Sequence, residues 1–457
     1  MEEKTMSKMG TVPVRKLLLT TGIPIIISMM LQALYNIVDS AFVSNMEGGE
    51  LALNALTLAF PVQMLMVAIG IGTGVGANVL LSKSLGQQNE EKVARVAGNA
   101  IFLGVVITIA FMLFGIFGVD VYVSSQTNNA EIKELAVTYL RICCIISFGI
   151  VFFNIFEKLL QSTGHSLQST ISQISGAVIN IILDPIMIYG LLGCPEMGVA
   201  GAAYATVIGQ FFSFAIALFF HFKSNKVVKK GLKYIKPKAG IIKEIYVIGL
   251  PAIIAQALMS IMTYGINIIF VEVSESLVTA YGLYYKIQQF VLYAAFGLRD
   301  TITPIVSFSH GMQNKKRITD GIKYGIGYTL VIMIVGTLIL EIFAEPLCSV
   351  FGLSGITESL CVSATRLISL SFIYAGLNVA FQGIFQALNS GVSSLIISVC
   401  RQLLFVLPVA WGLSLLIMPN LENAWIVWFT FIIAELVTAV IAVCLMFSIY
   451  KRKIKHL

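Results

Sequence analysis

Two carboxylates stand inside long apolar stretches of this 457-residue chain, at Asp39 and Asp184. Asn36 precedes Asp39 by three residues and Asn180 precedes Asp184 by four, so a helix would place an amide on the same face as each acid. Hard oxygen ligands of this kind suit Na⁺, and a carboxylate removed from water suits H⁺ equally well. The pattern therefore predicts a buried site for one of these two cations.

Each acid also has a purely structural interpretation. Asp39 would cap the outer end of its helix in headgroup water, and Asp184 would mark a helix bend at Pro185. The matching positions in the second half of the chain hold no acid; they are Ile266 or Asn267, and Leu407. Because the fold does not require acids at these places, the asymmetry favours a functional role.

The sequence around these acids predicts a membrane environment. Hydrophobic residues make up 57% of the chain and charged residues only 12%, which leaves too few polar groups to coat a water-soluble fold. Several runs hold about twenty apolar residues, enough to cross a hydrocarbon layer of about 30 Å at about 1.5 Å per residue. Backbone groups in lipid must bond within their own element, so these runs predict helices in a multi-pass protein of the cell (plasma) membrane.

Hydropathy predicts an all-α protein with twelve transmembrane helices, near 17–44, 52–82, 94–118, 134–160, 165–192, 198–221, 244–271, 278–308, 319–343, 361–386, 391–417 and 423–449. Lys and Arg concentrate in alternate loops and in both terminal segments, whereas the other loops are acidic. This positive-inside bias predicts that both termini are cytoplasmic. The net charge of +7 thus reflects orientation. Lipid headgroups are a secondary partner and nucleic acid is not expected, since no basic surface is interleaved with aromatic residues.

The two halves of the chain resemble each other in sequence. Gly22–Ile26 recurs as Gly249–Ile253, and Ser82–Asn89 recurs as Ser307–Asn314. Duplication of six helices in one orientation is common in secondary transporters, whose cavity opens alternately to each side of the membrane. We therefore predict two pseudo-symmetric six-helix lobes joined by a cytoplasmic linker: an N-terminal lobe at 1–222, the linker at 223–243 and a C-terminal lobe at 244–457.

Substrate and energy source follow less directly from the sequence. Tyr35, Asn36 and Met259 are candidate residues of the substrate cavity; thioethers can line an adaptable pocket, although ordinary packing is the alternative for the methionine. The sequence contains no Walker-type nucleotide motif, so an ion gradient is the expected energy source and no cofactor is expected. It also contains no nucleophile, base or metal constellation typical of an enzyme. We expect a monomer.

Taken together, the motifs resemble those of the multidrug and toxic compound extrusion (MATE) transporters, and most closely the bacterial MepA-like and DinF-like branches. The motifs are Gly22-x-Pro24, Tyr35 to Asp39, Leu85-Gly86, Asn180-x-x-x-Asp184-Pro185 and Gly201 to Thr206. Their order and spacing cover nearly the whole chain.

The resemblance implies an antiporter that exports amphipathic or cationic organic compounds, such as drugs and toxic cations, in exchange for Na⁺ or H⁺ by alternating access. It also implies a cation-binding and coupling site in the N-terminal lobe, with Na⁺ a possible metal ion at three of its members, Asp39, Asn180 and Asp184. The full set that it implies is Asp39, Asn154, Asn180, Asp184 and Thr206. The NorM-like branch of the family is known for acids in spans 7 and 10 of the C-terminal lobe. In this chain the interior of span 7 has no acid before Glu272 at its outer end and span 10 has none, so a second cation site in that lobe is not expected.

The alternative within transport is a lipid-linked oligosaccharide flippase, which would need a more cationic cavity. Arg141 and Arg401 are the residues that hint at one. Arg401 and Glu435 are buried charges of the second half, and the sequence leaves open whether they pair with each other or line the cavity.

Overall fold

A computed structural model describes residues 8–46, 49–349, 355–417 and 421–457. Within these ranges the helix backbone alone is described at 35–37, 39–41, 44, 50, 421 and 422. The regular secondary structure of the described ranges is helical throughout.

The helices of the first half follow the apolar runs of the sequence, and the asparagines Asn89 and Asn129 cap two of them. The helices are α1 Lys8–Thr11, α2 Val14–Ser44, α3 Gly49–Gly86, α4 Glu90–Phe117, α5 Val119–Gln126, α6 Ala130–Ile145, α7 Phe148–Gln161, α8 Ser166–Ile188, α9 Gly198–Lys223 and α10 Leu232–Ile235, with a 3-10 turn at Leu191–Gly193. Asn89 Oδ1 accepts a hydrogen bond from the Lys92 amide at 3.0 Å, which satisfies a donor that the first turn of α4 leaves unbonded.

The helices of the second half repeat this pattern. They are α11 Ala239–Val273, α12 Glu275–Gly311, α13 Lys315–Ser349, α14 Gly355–Ser369, α15 Phe372–Ala387, α16 Gly391–Val399, α17 Val406–Ile417 and α18 Phe429–Lys453, with a π-helical turn at Cys400–Leu404 and a 3-10 segment at Leu421–Trp428. Asn314 caps α13 as Asn89 caps α4, because its Oδ1 accepts from the Arg317 amide at 3.1 Å.

The described helices account for the predicted membrane spans. Nine are single stretches that are long and apolar enough to cross a bilayer, and two bent helix pairs raise the number to eleven. The remaining predicted span, 278–308, coincides with α12, which has 37 residues and is long enough to cross at about 1.5 Å per residue. The predicted all-α membrane fold is therefore confirmed.

Two predicted spans are broken where the sequence suggested continuous helices. α6 and α7 meet at an angle of 47°, and α14 and α15 meet at 53°. At the second break the amide and the hydroxyl of Ser371 both donate to the Ile368 carbonyl, at 2.9 and 2.7 Å. A serine that bonds a carbonyl of the preceding turn competes with the helical ladder and allows the chain to change direction there.

The helices form two compact units. The first unit comprises Met1–Thr11 and Met30–Ile253, and the second comprises Val12–Met29 and Ile254–Leu457. The opening turns of α2 thus belong to the second unit and those of α11 to the first. Each unit has its own apolar core; in the second, the Phe270 ring packs edge-on against Trp428 with 5.6 Å between the ring centroids.

The contacts within the units preserve the duplication that the sequence predicted. In the first unit the Arg141 guanidinium donates to Asp120, and in the second the Arg366 guanidinium donates to Glu345 at 2.9 Å. Both residues of the second pair lie 225 positions after their counterparts, 120 to 345 and 141 to 366. In the first unit the pair joins α5 to α6, and in the second it joins the last turns of α13 to α14.

Candidate cation site

The helix α8 has a polar buried face, which is unusual for a segment in an apolar fold. Its buried residues are Ser166, Ser169, Thr170, Ser172, Gly176, Asn180, Asp184 and Ile188. Most follow one another at three- or four-residue intervals, so they share one side of the helix. The buried side of α8 therefore offers oxygen atoms along most of its length.

Asn180 and Asp184 lie next to each other on this face. Their exposed fractions are 2% and 0%, and the Asn180 Nδ2 donates to Asp184 Oδ1 at 3.3 Å. Pro185 continues the helix but has no amide proton, so it cannot bond the Ile181 carbonyl one turn earlier. A carboxylate, an amide and a carbonyl freed by a proline are thus placed within one turn of helix.

The helix α9 approaches this turn closely because glycine leaves room for it. A Cβ at Gly209 would lie only 2.9 Å from the Asn180 Cβ, and Gly201 meets the end of α8 at Met187. The two helices are therefore antiparallel, and Thr206 lies between these two points of contact. Its buried hydroxyl has no hydrogen-bond partner in the described part of the chain, and the same is true of the Asn180 Oδ1. Both oxygens could accept a cation.

The position of Asp39 can be read from the backbone of α2, although its side chain lies outside the described atoms. The Gln173 amide donates to Gln32, and the Tyr189 hydroxyl donates to the Phe42 carbonyl at 2.7 Å. α2 and α8 therefore run in parallel, with position 39 between these two contacts, as Asp184 is. The sequence-predicted acids of the two helices thus occupy similar levels.

Asn154 lies on α7 and contacts a different helix. A Cβ at Gly70 of α3 would lie 2.9 Å from the Asn154 Nδ2, and this buried nitrogen has no hydrogen-bond partner among the described residues. The structure therefore brings Asn180, Asp184 and Thr206 to one interface between α8 and α9, and places Asn154 against α3.

The three candidate cavity residues are described to different extents. The side chains of Tyr35 and Asn36, like that of Asp39, lie outside the described atoms, although the α2 backbone is helical there. Met259 is half-buried on α11 in the second unit, and its carbonyl accepts from the Thr263 hydroxyl at 3.0 Å.

The chemistry of the α8 turn suits a small hard cation or a proton. Carboxylate, amide and hydroxyl oxygens match Na⁺ better than they match a transition metal. In the ranges that the structure describes, no group of three His, Cys, Asp or Glu side chains could hold a metal ion.

Two buried ion pairs were not anticipated from the sequence. Glu157 and Lys158 are adjacent on α7, and Arg299 and Asp300 are adjacent on α12, where Arg299 Nε donates to Asp300 Oδ1 at 3.0 Å. Two neighbouring residues of opposite charge inside a predicted span could have revealed these pairs. Burying an isolated charge there costs more free energy than burying a pair of opposite charges.

The arginines that hinted at a cationic cavity are both paired with acids. Arg401, on the π-helical turn, donates from Nε to Glu435 Oε1 at 3.0 Å, and the Asn378 Nδ2 donates to Glu435 Oε2 at 2.8 Å. Arg141 is bonded to Asp120, as described above. Arg401 and Glu435 therefore pair with each other, which answers the question that the sequence left open. Because both arginines are paired with acids, neither favours an anionic substrate.

Comparison with known sequences adds a family match and full-length relatives. The sequence model described as MatE matches residues 24–186 and 251–411, more than two thirds of the chain. The Multidrug export protein MepA of Staphylococcus aureus (strain MRSA252) is 24% identical over 440 residues, which cover 96% of this chain and 95% of that protein. The protein of the same name from Staphylococcus haemolyticus is 24% identical over 442 residues, covering 96% and 94%.

Solved structures with the same fold cover the chain almost completely. One is titled as the outward-facing conformation of a multidrug resistance MATE family transporter of the MOP superfamily; it superposes with a TM-score of 0.91 at 24% identity and covers 98% of this chain and 99% of its own. Another is a MOP superfamily transporter from Pyrococcus furiosus, which is described as having a binding pocket of reverse polarity; it has a TM-score of 0.89 at 25% identity and covers 97% of this chain and 98% of its own.

Proposed function

Since the chain belongs to the MatE family, we propose that it is a secondary active multidrug exporter that exchanges amphipathic or cationic organic compounds for Na⁺ or H⁺. Family membership confirms the resemblance inferred from the motifs. The chain is a multi-pass transporter of the plasma membrane and not an enzyme. The relatives that are named as multidrug export proteins support small organic molecules as the substrates.

The observation that carries the proposed coupling is the buried bond between Asn180 and Asp184, at a turn where the Asn180 Oδ1 has no hydrogen-bond partner among the described residues. In this proposal Asp184 and Asp39 bind the cation, and Asn180 and Thr206 supply further oxygens. Asn154 contributes from α7, and Tyr35, Asn36 and Met259 line the substrate cavity. A bound cation moves a conformational equilibrium only by its different affinity for the two states, so the site must differ between inward-open and outward-open forms.

The remaining features of the proposal concern orientation and assembly. Both termini lie in the cytoplasm, the transporter works as a monomer, and anionic lipids contact the basic loops. In this proposal alternating access takes place between the predicted lobes at 1–222 and 244–457. The linker at 223–243 connects them.

Dye transport in inverted membrane vesicles tests the proposal. Vesicles that contain the protein receive an imposed Na⁺ gradient or an imposed pH gradient, each without the other, and accumulation of a fluorescent cationic dye is recorded. We expect one of the two gradients to drive accumulation and vesicles without the protein to show none. Absence of transport under both gradients would exclude ion-coupled export of that dye, and binding of a lipid pyrophosphate instead would favour the flippase.

A further inference from the structure

Four polar side chains form a buried stripe on α7, in the half of the first unit that lies toward the basic loops. Asn154, Glu157, Lys158 and Gln161 recur at three- and four-residue spacing, so they share one face of the helix. The exposed fractions of Glu157, Lys158 and Gln161 are 7%, 2% and 1%. The stripe therefore contains an acid and a base that are both withdrawn from solvent.

One amide joins the two charges. Lys158 Nζ donates to Gln161 Oε1 at 3.0 Å, and Gln161 Nε2 donates to Glu157 Oε1 at 3.0 Å. The Lys158 Nζ also lies 3.8 Å from Glu157 Oε2. Gln161 thus holds the carboxylate and the ammonium at the same time, one through each end of its amide.

The same glutamine connects this pair to the helix of the candidate cation site. Gln161 Nε2 also donates to the Ser169 hydroxyl at 3.1 Å, and Ser169 lies on the buried face of α8 that carries Asn180 and Asp184. A change in the charge of Glu157 therefore acts on a hydrogen-bonded link between α7 and α8.

The second unit contains a matching glutamine–serine hydrogen bond, but has a glutamine where the first unit has Glu157. Gln386 Nε2 donates to the Ser394 hydroxyl at 3.2 Å, and both residues lie 225 positions after Gln161 and Ser169. The position that matches Glu157 holds Gln382, which donates to the Ser398 hydroxyl at 3.0 Å. The fold accordingly accepts an uncharged amide where the first unit has its carboxylate.

Both units have a basic side chain packed at the corresponding place. The role of the base can therefore be distinguished from the role of the acid. Lys158 packs on Gly74, where a Cβ would lie 2.8 Å from the Lys158 Cγ. In the second unit Arg299 of α12 packs on Gly383, which matches Lys158, and a Cβ there would lie 2.7 Å from the Arg299 Cγ. The base therefore packs against a glycine in each unit. The acid differs, because the position that is Glu157 in the first unit is the uncharged Gln382 in the second.

The titratable groups near Glu157 come from several elements. On α7 it faces Lys158, and the start of α8 brings His165. α9 brings His221, whose ring lies 5.1 Å from the ring of Phe156, and α3 ends at Lys83. Against α4, the neighbouring part of α7 presents Ile155 to Gly104. Lys158, His165, His221 and Lys83 are all basic groups.

We propose that Glu157 is a further ion-exchanging carboxylate of the first unit, in addition to Asp39 and Asp184, and that it takes up and releases a proton during transport. The proton comes from water on the side of the basic loops, binds a carboxylate oxygen and returns to water, while Lys158 keeps its three protons. Protonation weakens the acceptor that Gln161 bonds and so changes the link to α8. This inference rests on the proposed function, because it concerns the coupling of the same unit.

The test compares Glu157→Gln with Asp300→Asn, which removes a buried acid of the second unit that also lies beside a base. Each full-length variant is reconstituted in liposomes, and the rate of ion-driven dye transport is measured as a function of pH. We expect Glu157→Gln to shift the midpoint of the profile by about one pH unit or more, or to remove the dependence, while Asp300→Asn keeps the midpoint of the unaltered protein. A Glu157→Gln profile that superimposes on that of the unaltered protein overturns the inference.

A second measurement separates failure of this inference from failure of the proposed function. Protons released or taken up when Na⁺ or dye is added to the detergent-solubilised protein are followed with a pH indicator in weak buffer. The number per protein should fall in Glu157→Gln and stay constant in Asp300→Asn. Proton exchange that is unchanged in Glu157→Gln but lost in Asp184→Asn contradicts a role for Glu157 and leaves the site on α8 intact.

A double variant covers the case in which the single variant does not fold. Glu157→Gln leaves Lys158 without its acid, and a buried charge without its counter-ion is strongly destabilising. Glu157→Gln/Lys158→Met removes both charges and keeps the volume of the base against Gly74. The double variant should fold and show the same altered pH profile; a profile like that of the unaltered protein shows that the pair serves stability alone.

Discussion

Asn180 donates a hydrogen bond from Nδ2 to Asp184 Oδ1 over 3.3 Å, and both side chains are buried at the interface of α8 with α9. One helical turn separates them along the chain, so their contact follows from local geometry. The orientation of this bond leaves the Asn180 Oδ1 without a partner among the described residues. The turn therefore combines a carboxylate with a neutral oxygen that could accept a cation.

Asp184→Asn should abolish ion-driven efflux without preventing insertion into the membrane. The amide keeps the size of the carboxylate but cannot exchange a proton and binds Na⁺ more weakly, so the energy source is lost. Dye efflux and the amount of protein in the membrane are the two measurements. Asp120→Asn is the control, because Asp120 is a half-exposed acid of the same unit that pairs with Arg141. Near-normal efflux by Asp184→Asn would refute the assignment.

Thr206→Val should raise the stability of the ion-free protein and weaken its response to the ion. The buried Thr206 hydroxyl lacks a described partner, and leaving such a group unsatisfied costs about 1 to 3 kcal/mol. Valine has the same shape without this cost. Thermal unfolding in detergent, with and without Na⁺ or at two pH values, measures both effects, since a ligand that binds only the folded state stabilises it more when it binds more tightly. A variant that gains stability and keeps the full response to the ion would exclude Thr206 as a ligand.

Arg401→Met should destabilise the second unit, and adding Glu435→Leu should restore most of the loss. The single variant leaves a buried carboxylate with only Asn378 as its described polar partner, and breaking such a pair costs about 3 to 5 kcal/mol. The double variant removes both charges from the interior. Thermal unfolding of the two variants measures the difference. Equal losses in both would mean that packing of the arginine, and not its charge, stabilises this turn.

His165→Gln should reduce the loss of stability on acidification. Burial, with a smaller contribution from Lys8, lowers the pKa of His165, which directly precedes α8 and its membrane-spanning stretch, Ser166–Ile188. The folded-state pKa thus lies below the unfolded value of about 6.5. Its contribution to stability is present above that pH and is lost as pH falls through the folded-state pKa. Melting temperatures at neutral and acid pH test this, with His456→Gln at the exposed C-terminal end as the control. An equal acid-induced drop in His165→Gln and the unaltered protein would contradict it.

Much of the fold could be predicted because its determinants are local. Runs of about twenty apolar residues predict helices, since lipid leaves the backbone no other partners. The repeated motifs at Gly22–Ile26 and Gly249–Ile253 indicated the duplication that the contacts preserve. Likewise, the four-residue spacing of Asn180 and Asp184 already places both on one helix face. Family membership followed from the order of such motifs.

The tertiary structure alone decided which distant residues meet. Arg401 and Glu435 are 34 positions apart, and only the packing of the π-helical turn against α18 shows that they form a pair. Gln161 joins two charges to Ser169 because α7 and α8 face each other at that level. Helical periodicity assigns a residue to a face, but the partner of that face depends on how helices pack, and sequence spacing within one helix carries no information about the neighbour.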